Sequence, residues 1–136
     1  MKFLQTIPFI LVFIVPWTLA FHSEENEILS DVIPGGISSD DKPVNDEIRG
    51  IVTQVHSEIK GHLLGLPGGR NIRGEILPIS YRTQLVNGVN YFIKVQARTP
   101  RKIIYYHLRI YKSFNGTPRL MKVEGPKHES DTINFF

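Results

Sequence analysis

A chain of 136 residues with 16 Lys and Arg, 13 Asp and Glu and no cysteine has room for one domain with a modest core, held together by packing alone. Thiol catalysis, a disulfide framework and a Cys-based zinc site are thereby excluded. Charge is uneven: residues 22–47 hold eight acidic side chains and one Lys, whereas residues 48–136 hold fourteen Lys and Arg against five Asp and Glu. A basic remainder suits an anionic partner such as nucleic acid or a sulfated glycan. The plainer reading, a solvated strand face, is preferred, because Arg98, Arg109, Lys112 and Lys122 are spread along strands.

Residues 1–20, MKFLQTIPFILVFIVPWTLA, place a Lys next to the N-terminus, an apolar run at Ile7–Val15, and Thr18 and Ala20 before a cleavage point. That is the layout of a secretory signal peptide. An uncleaved membrane anchor is disfavoured, since Pro8 and Pro16 bracket a run too short for a span. Residues 21–32 form an acidic, aromatic-poor leader of the kind expected to stay flexible. The domain proper is expected over 33–136, opening on an irregular arm, IPGGISSDDKPV.

Ile48, Ile51, Val52, Val55, Ile59 and Leu63 follow at helical spacing on one face. Asn45 is placed as N-cap, with Asp46 and Glu47 at the positive end of the helix dipole. The stripe predicts one helix of about five turns lying on a sheet. GHLLGLPGGRNIRG, with five glycines and a proline, ends it in a long loop. Four strand-like runs come next: 76–86, 89–97, 103–113 and a short one at 120–123. Pro78 predicts a bulge or an edge position in the first run. Asn87-Gly88 marks a tight hairpin turn between the first two. In the third, Ile104, Tyr106, Leu108 and Ile110 share one face, and Tyr105, His107, Arg109 and Tyr111 the other. Short connections imply antiparallel neighbours, hence an α+β fold with one long helix across a four- to five-stranded antiparallel sheet.

Nothing in the chain has the pattern of an active site. His22, His56, His62, His107 and His128 show no ligand spacing, and GLPGGR lacks the Gly-Lys-Ser/Thr ending of a phosphate loop. No enzyme, no metal site and no cofactor is expected. Instead, Leu85 and Val86 stand at a hairpin tip, Phe114 stands beside Asn115-Gly116 in a second connection, and the arm carries Ile33-Pro34-Gly35-Gly36. Apolar tips are costly unless a partner covers them. In a meander the two hairpin loops fall at the same edge of the sheet, within reach of the arm, and form a narrow wedge.

Gln84-Leu85-Val86-Asn87-Gly88 fits the Gln-x-Val-x-Gly signature of the cystatins, inhibitors of papain-like cysteine proteases. Pro34-Gly35-Gly36, DEIRGIV, NYFIKV, HLRIYKS and the closing DTINFF resemble cystatin segments of the stefin type, in the same order. The resemblance implies a cystatin-like fold and reversible, non-covalent inhibition of papain-like (cathepsin-type) proteases. Leu85, Val86, Phe114, Asn115 and Gly116 would line the primed side of the cleft, with Gln84 and Asn87 in the signature loop and Gly88 permitting its turn. Gly35 and Gly36 would pass close to the protease wall, with Ile33 in a substrate-side pocket. It implies a monomer, with exchange of the helix and first strand as the route to a dimer, and neither nucleic acid nor membrane as partner. The alternative is a secreted module of this fold that does not inhibit and acts through its basic surface.

Several features depart from the stefin pattern. Stefins are usually cytosolic, which stands as the alternative to secretion. Secreted cystatins carry two disulfides, and this chain has no cysteine. Phe114-Asn115-Gly116 replaces the usual Leu-Pro-Gly, and Asn115-Gly116-Thr117 is a glycosylation sequon, read here as an unmodified hairpin turn. The loop around 66–71 is several residues longer than usual and holds a second Pro-Gly-Gly.

Overall fold

The computed structural model describes residues 35–136, so that the expected signal peptide, the leader, Ile33 and Pro34 lie outside the described residues. Five strands form one antiparallel meander in the order β1-β2-β3-β4-β5. They are β1 (Lys42–Pro43), β2 (Ile76–Val86), β3 (Gly88–Arg98), β4 (Ile103–Lys112) and β5 (Arg119–Lys127). Two helical segments, α1 (Asp46–Gln54) and α2 (His56–Leu63), lie between β1 and β2.

The apolar stripe behaves as its spacing requires. Ile48, Ile51, Val52, Val55, Ile59 and Leu63 are all 3% exposed or less, packed with Ile76, Tyr91, Ile93, Val95, Ala97, Ile104, Tyr106, Leu108 and Ile110. Each such burial contributes roughly 1.5–3 kcal/mol, which offsets the helix cost of Gly50. Asn45 caps α1, its Oδ1 accepting from the Ile48 N–H at 3.0 Å. Tyr91 donates to the Glu47 carboxylate at 2.8 Å, tying the helix start to β3.

One long helix was expected; it is interrupted at Val55, whose φ of −103° and ψ of 13° leave the helical region. The break is shallow, because the Val55 N–H still reaches the Ile51 carbonyl and the Ile59 N–H the Val55 carbonyl. The stripe stays continuous across it.

Pro78 sits at a register shift between Pro78 and Ser80, beyond the short β1, which pairs only with Tyr81 and Ser80. Both expectations for that proline, bulge and edge, are met. The last strand differs from the sequence reading. It runs nine residues rather than four, through two register shifts against β4 that obscure its alternation.

The face of β4 that carries Tyr105, His107, Arg109 and Tyr111 is largely covered. His107 is 2% exposed and Phe92, behind it on β3, is fully buried. The closing segment lies over them. Ile133 is buried, and Phe92 meets the rings of Phe135 and Phe136 at 5.9 and 5.8 Å between centroids. Lys94 donates to the Glu129 carbonyl at 2.8 Å, and Arg109 to that of Phe136 at 3.1 Å.

Candidate functional site

The sheet order places the β2–β3 and β4–β5 connections at one edge, and backbone bonds bring the arm to the same place. The Gly35 N–H donates to the Leu85 carbonyl at 3.0 Å, Ile37 bridges Gln84, and the Ser38 N–H donates to the Thr83 carbonyl at 2.8 Å. The Ser38 hydroxyl accepts from the Thr83 N–H in return, at 3.1 Å. The arm thus runs antiparallel to the end of β2 and emerges beside the first hairpin.

A side-chain clamp reinforces this junction. Gln84 donates through Nε2 to the Gly35 carbonyl at 3.1 Å and accepts through Oε1 from Asn90 Nδ2 at 2.9 Å. Gln84 and Asn90 are cross-strand partners, and Asn90 is only 5% exposed. The signature glutamine therefore spends its amide on holding arm, β2 and β3 together.

In the first hairpin, Val86 pairs with Gly88 and Asn87 alone stands at the tip. Among the described residues none other than glycine has positive φ, so Asn87 does not enter the primed turn that an Asn-Gly pair favours. Gly88 carries the reversal at φ 120°, and a Cβ there would stand 2.6 Å from the Lys112 carbonyl oxygen and 2.9 Å from the Tyr111 ring. The Tyr111 hydroxyl donates to the Asn87 carbonyl, bracing the tip from β4.

The second loop leaves β4 next to this point, since Val89 pairs with Lys112. Its turn closes with the Gly116 N–H on the Ser113 carbonyl at 3.2 Å. Gly116 is packed against Ser113 Oγ, whereas Phe114 is 65% exposed and Asn115 is exposed as well. Val86 is 39% exposed and Leu85 half-buried. Of the expected residues, Gly35, Gly36, Gln84, Leu85, Val86, Asn87, Gly88, Phe114, Asn115 and Gly116 therefore share one rim.

Sequence reading did not single out Ser38 and Asn90, nor Tyr111 as a brace. A polar Asn inside VNYFIKV, at a position whose alternation faces a neighbour, was the available signal for Asn90.

Among the described residues no group of three His, Cys, Asp or Glu side chains could hold a metal. No helix of the described residues is long and apolar enough to cross a membrane.

No family model matches the chain. Among curated proteins, it is 37% identical over 102 residues to Cystatin-A2 of Dictyostelium discoideum, covering 75% of this chain and 93% of that protein. Cystatin-A1 of the same organism is 38% identical over 103 residues, 74% of this chain and 97% of the relative. Cystatin-A of Homo sapiens is 32% identical over 108 residues, 77% of this chain and all of that protein. With the five-stranded antiparallel sheet and the helical segments set before β2, these likenesses show that the chain belongs to the cystatin family.

Proposed function

We propose that this protein is a reversible, non-covalent inhibitor of papain-like cysteine proteases, of the stefin type, exported with the help of residues 1–20. One observation supports the reading above others: arm, first hairpin and second loop emerge together at a single edge, with Val86 and Phe114 exposed at its crest. Such an edge is a wedge that fits a cleft. Val86 and Phe114, with the accessible part of Leu85, would bury apolar surface at roughly 25 cal/mol per Å². Gly35 and Gly36, lacking Cβ atoms, would let the arm's backbone lie close along the other half of the groove. On this reading the edge would occupy the cleft without presenting a peptide to be cut.

The clamp at Gln84 lowers the cost of this binding. Loops already fixed by hydrogen bonds lose less conformational freedom on association. Gln84 would act chiefly through that ordering, while Val86 and Phe114 supply contact.

Titration of the mature chain against papain and cathepsin-type proteases tests the proposal. Stoichiometric inhibition is expected from the parent, with at least about tenfold weaker inhibition by Gly36→Trp, equivalent to 1.4 kcal/mol. Equal potency of parent and variant would remove Gly36 from the interface. Absence of inhibition by the parent would leave a non-inhibitory member of the family.

A further inference from the structure

Opposite the rim, the turn between β3 and β4 and the long loop after α2 form a second feature that inhibition does not use. The loop is built into the fold. Tyr106 donates to the Pro67 carbonyl at 2.8 Å, Leu66 and Ile72 pack against the core, and Gly69 is so close that a Cβ would lie 1.6 Å from the Leu63 carbonyl oxygen. A 3₁₀ turn at Gly69–Asn71 then leads to Arg73, whose N–H donates to the Arg98 carbonyl at 2.7 Å. The neighbouring hairpin is held by Thr99, which exchanges backbone and hydroxyl bonds with Lys102 at 2.8–3.1 Å.

The result is a concentration of cations that their spread in sequence concealed. Arg73, Arg98, Arg101 and Lys102 are all exposed, with Arg70 on the flank, and Glu75 is the one carboxylate among the groove-lining residues. Among the described residues none of these cations forms an ion pair, whereas Arg49, Arg82, Lys122 and Lys127 do. They border two grooves, of about 310 and 400 Å³, on either side of the hairpin.

We propose that this pole binds a sulfated polysaccharide. Guanidinium groups recognise sulfate in the bidentate manner they use for phosphate and carboxylate. Leu77 and Ile103, 43% and 44% exposed in the first groove, offer apolar ground to pyranose faces. Neither groove is lined by an aromatic side chain, so the stacking platform of single-stranded nucleic-acid sites is missing. The pole lies a full strand, β3, from the rim: about 33 Å at 3.3–3.4 Å per residue, several Debye lengths at physiological salt. Glycan binding therefore leaves the wedge open and does not rest on its inhibiting anything.

The test is binding of the full mature chain to immobilised heparin, with sized heparin oligosaccharides as competitors. The parent is expected to be retained at 0.15 M NaCl. Arg101→Ser/Lys102→Ser and, separately, Arg73→Ser should weaken binding by at least about fivefold with a shallower salt dependence, as loss of counterion-releasing contacts requires. The charge-matched Lys112→Ser/Arg119→Ser, at the other end of the sheet, should change it by less than about twofold. Desulfated heparin should not compete. No retention of the parent, equal losses from both double variants, or competition by desulfated heparin would overturn the proposal. So would equal or tighter binding to a single-stranded oligonucleotide or to phosphatidylserine vesicles, which would assign the pole to those partners instead.

Discussion

At Gly88 two constraints meet, a φ of 120° and the carbonyl wall of Lys112 only 2.6 Å from where a Cβ would stand. Alanine there must displace either its own turn or the end of β4. Gly88→Ala is expected to cost roughly 1–3 kcal/mol in strain and to weaken inhibition by moving Val86, read by urea unfolding and papain titration together. Unchanged stability would mean the hairpin relaxes freely. Val86 itself is 39% exposed at the hairpin tip, so Val86→Asp should leave stability within about 0.5 kcal/mol while weakening the proposed inhibition at least about tenfold. The two residues separate scaffold from contact. Gln84 belongs with the scaffold: Gln84→Ala leaves the Asn90 amide buried without its partner, a loss of about 1–3 kcal/mol. If the clamp acts as a unit, Gln84→Ala/Asn90→Ala should cost clearly less than the sum of the single changes. Strict additivity in urea unfolding would dissolve it. The motif residues were legible in the sequence because a pentapeptide carries them. The clamp was not, since Gly35 and Gln84 meet only once the arm has folded back along β2.

Elements with a strict period were legible in the same way. Six helix positions at helical spacing and four alternating positions of β4 are buried as their patterns demand. Elements without a period were not. Two register shifts along β5, at Tyr105/His107 and Arg109/Ile110, break its alternation, and only Leu120–Val123 of its nine residues could be read. The closing segment has no period at all, so its role over the back of the sheet depends on tertiary partners. Those partners make a definite forecast. Ile133 is fully buried, so Ile133→Ala should cost about 2–5 kcal/mol, whereas Phe135→Ala, at a position 59% exposed, should cost far less. Near-equal unfolding midpoints for parent and Ile133→Ala would show that the segment rests on the sheet without stabilising it.

Across the described residues, the rim and the basic pole for which binding is proposed lie at opposite ends of the sheet, with the buried core between them. His107 is buried in that middle, facing Lys94 on β3, Lys127 and Glu124 on β5 and Asp131 in the closing segment. Burial above all, then Lys127 and Lys94, lowers its pKa from 6.5 to about 4. The folded protein holds the imidazole neutral, while the unfolded chain takes up a proton near pH 6.5 and so binds more protons between the two values. Stability is accordingly complete above about pH 6.5, declines as pH falls toward 4, and levels off below it; the total is on the order of 3 kcal/mol. Asp131 acts in a different window. The His128 N–H lowers its pKa from 3.8, so its contribution is present above that value and lost further into acid. Urea unfolding at pH 7.5, 5.5 and 4.5 should show the parent losing stability stepwise. His107→Gln, which cannot titrate and keeps a polar group in place, should lose less than half as much. Parallel slopes for the two proteins would mean that acid acts elsewhere, and that the closing segment shields a side chain whose charge the fold does not feel.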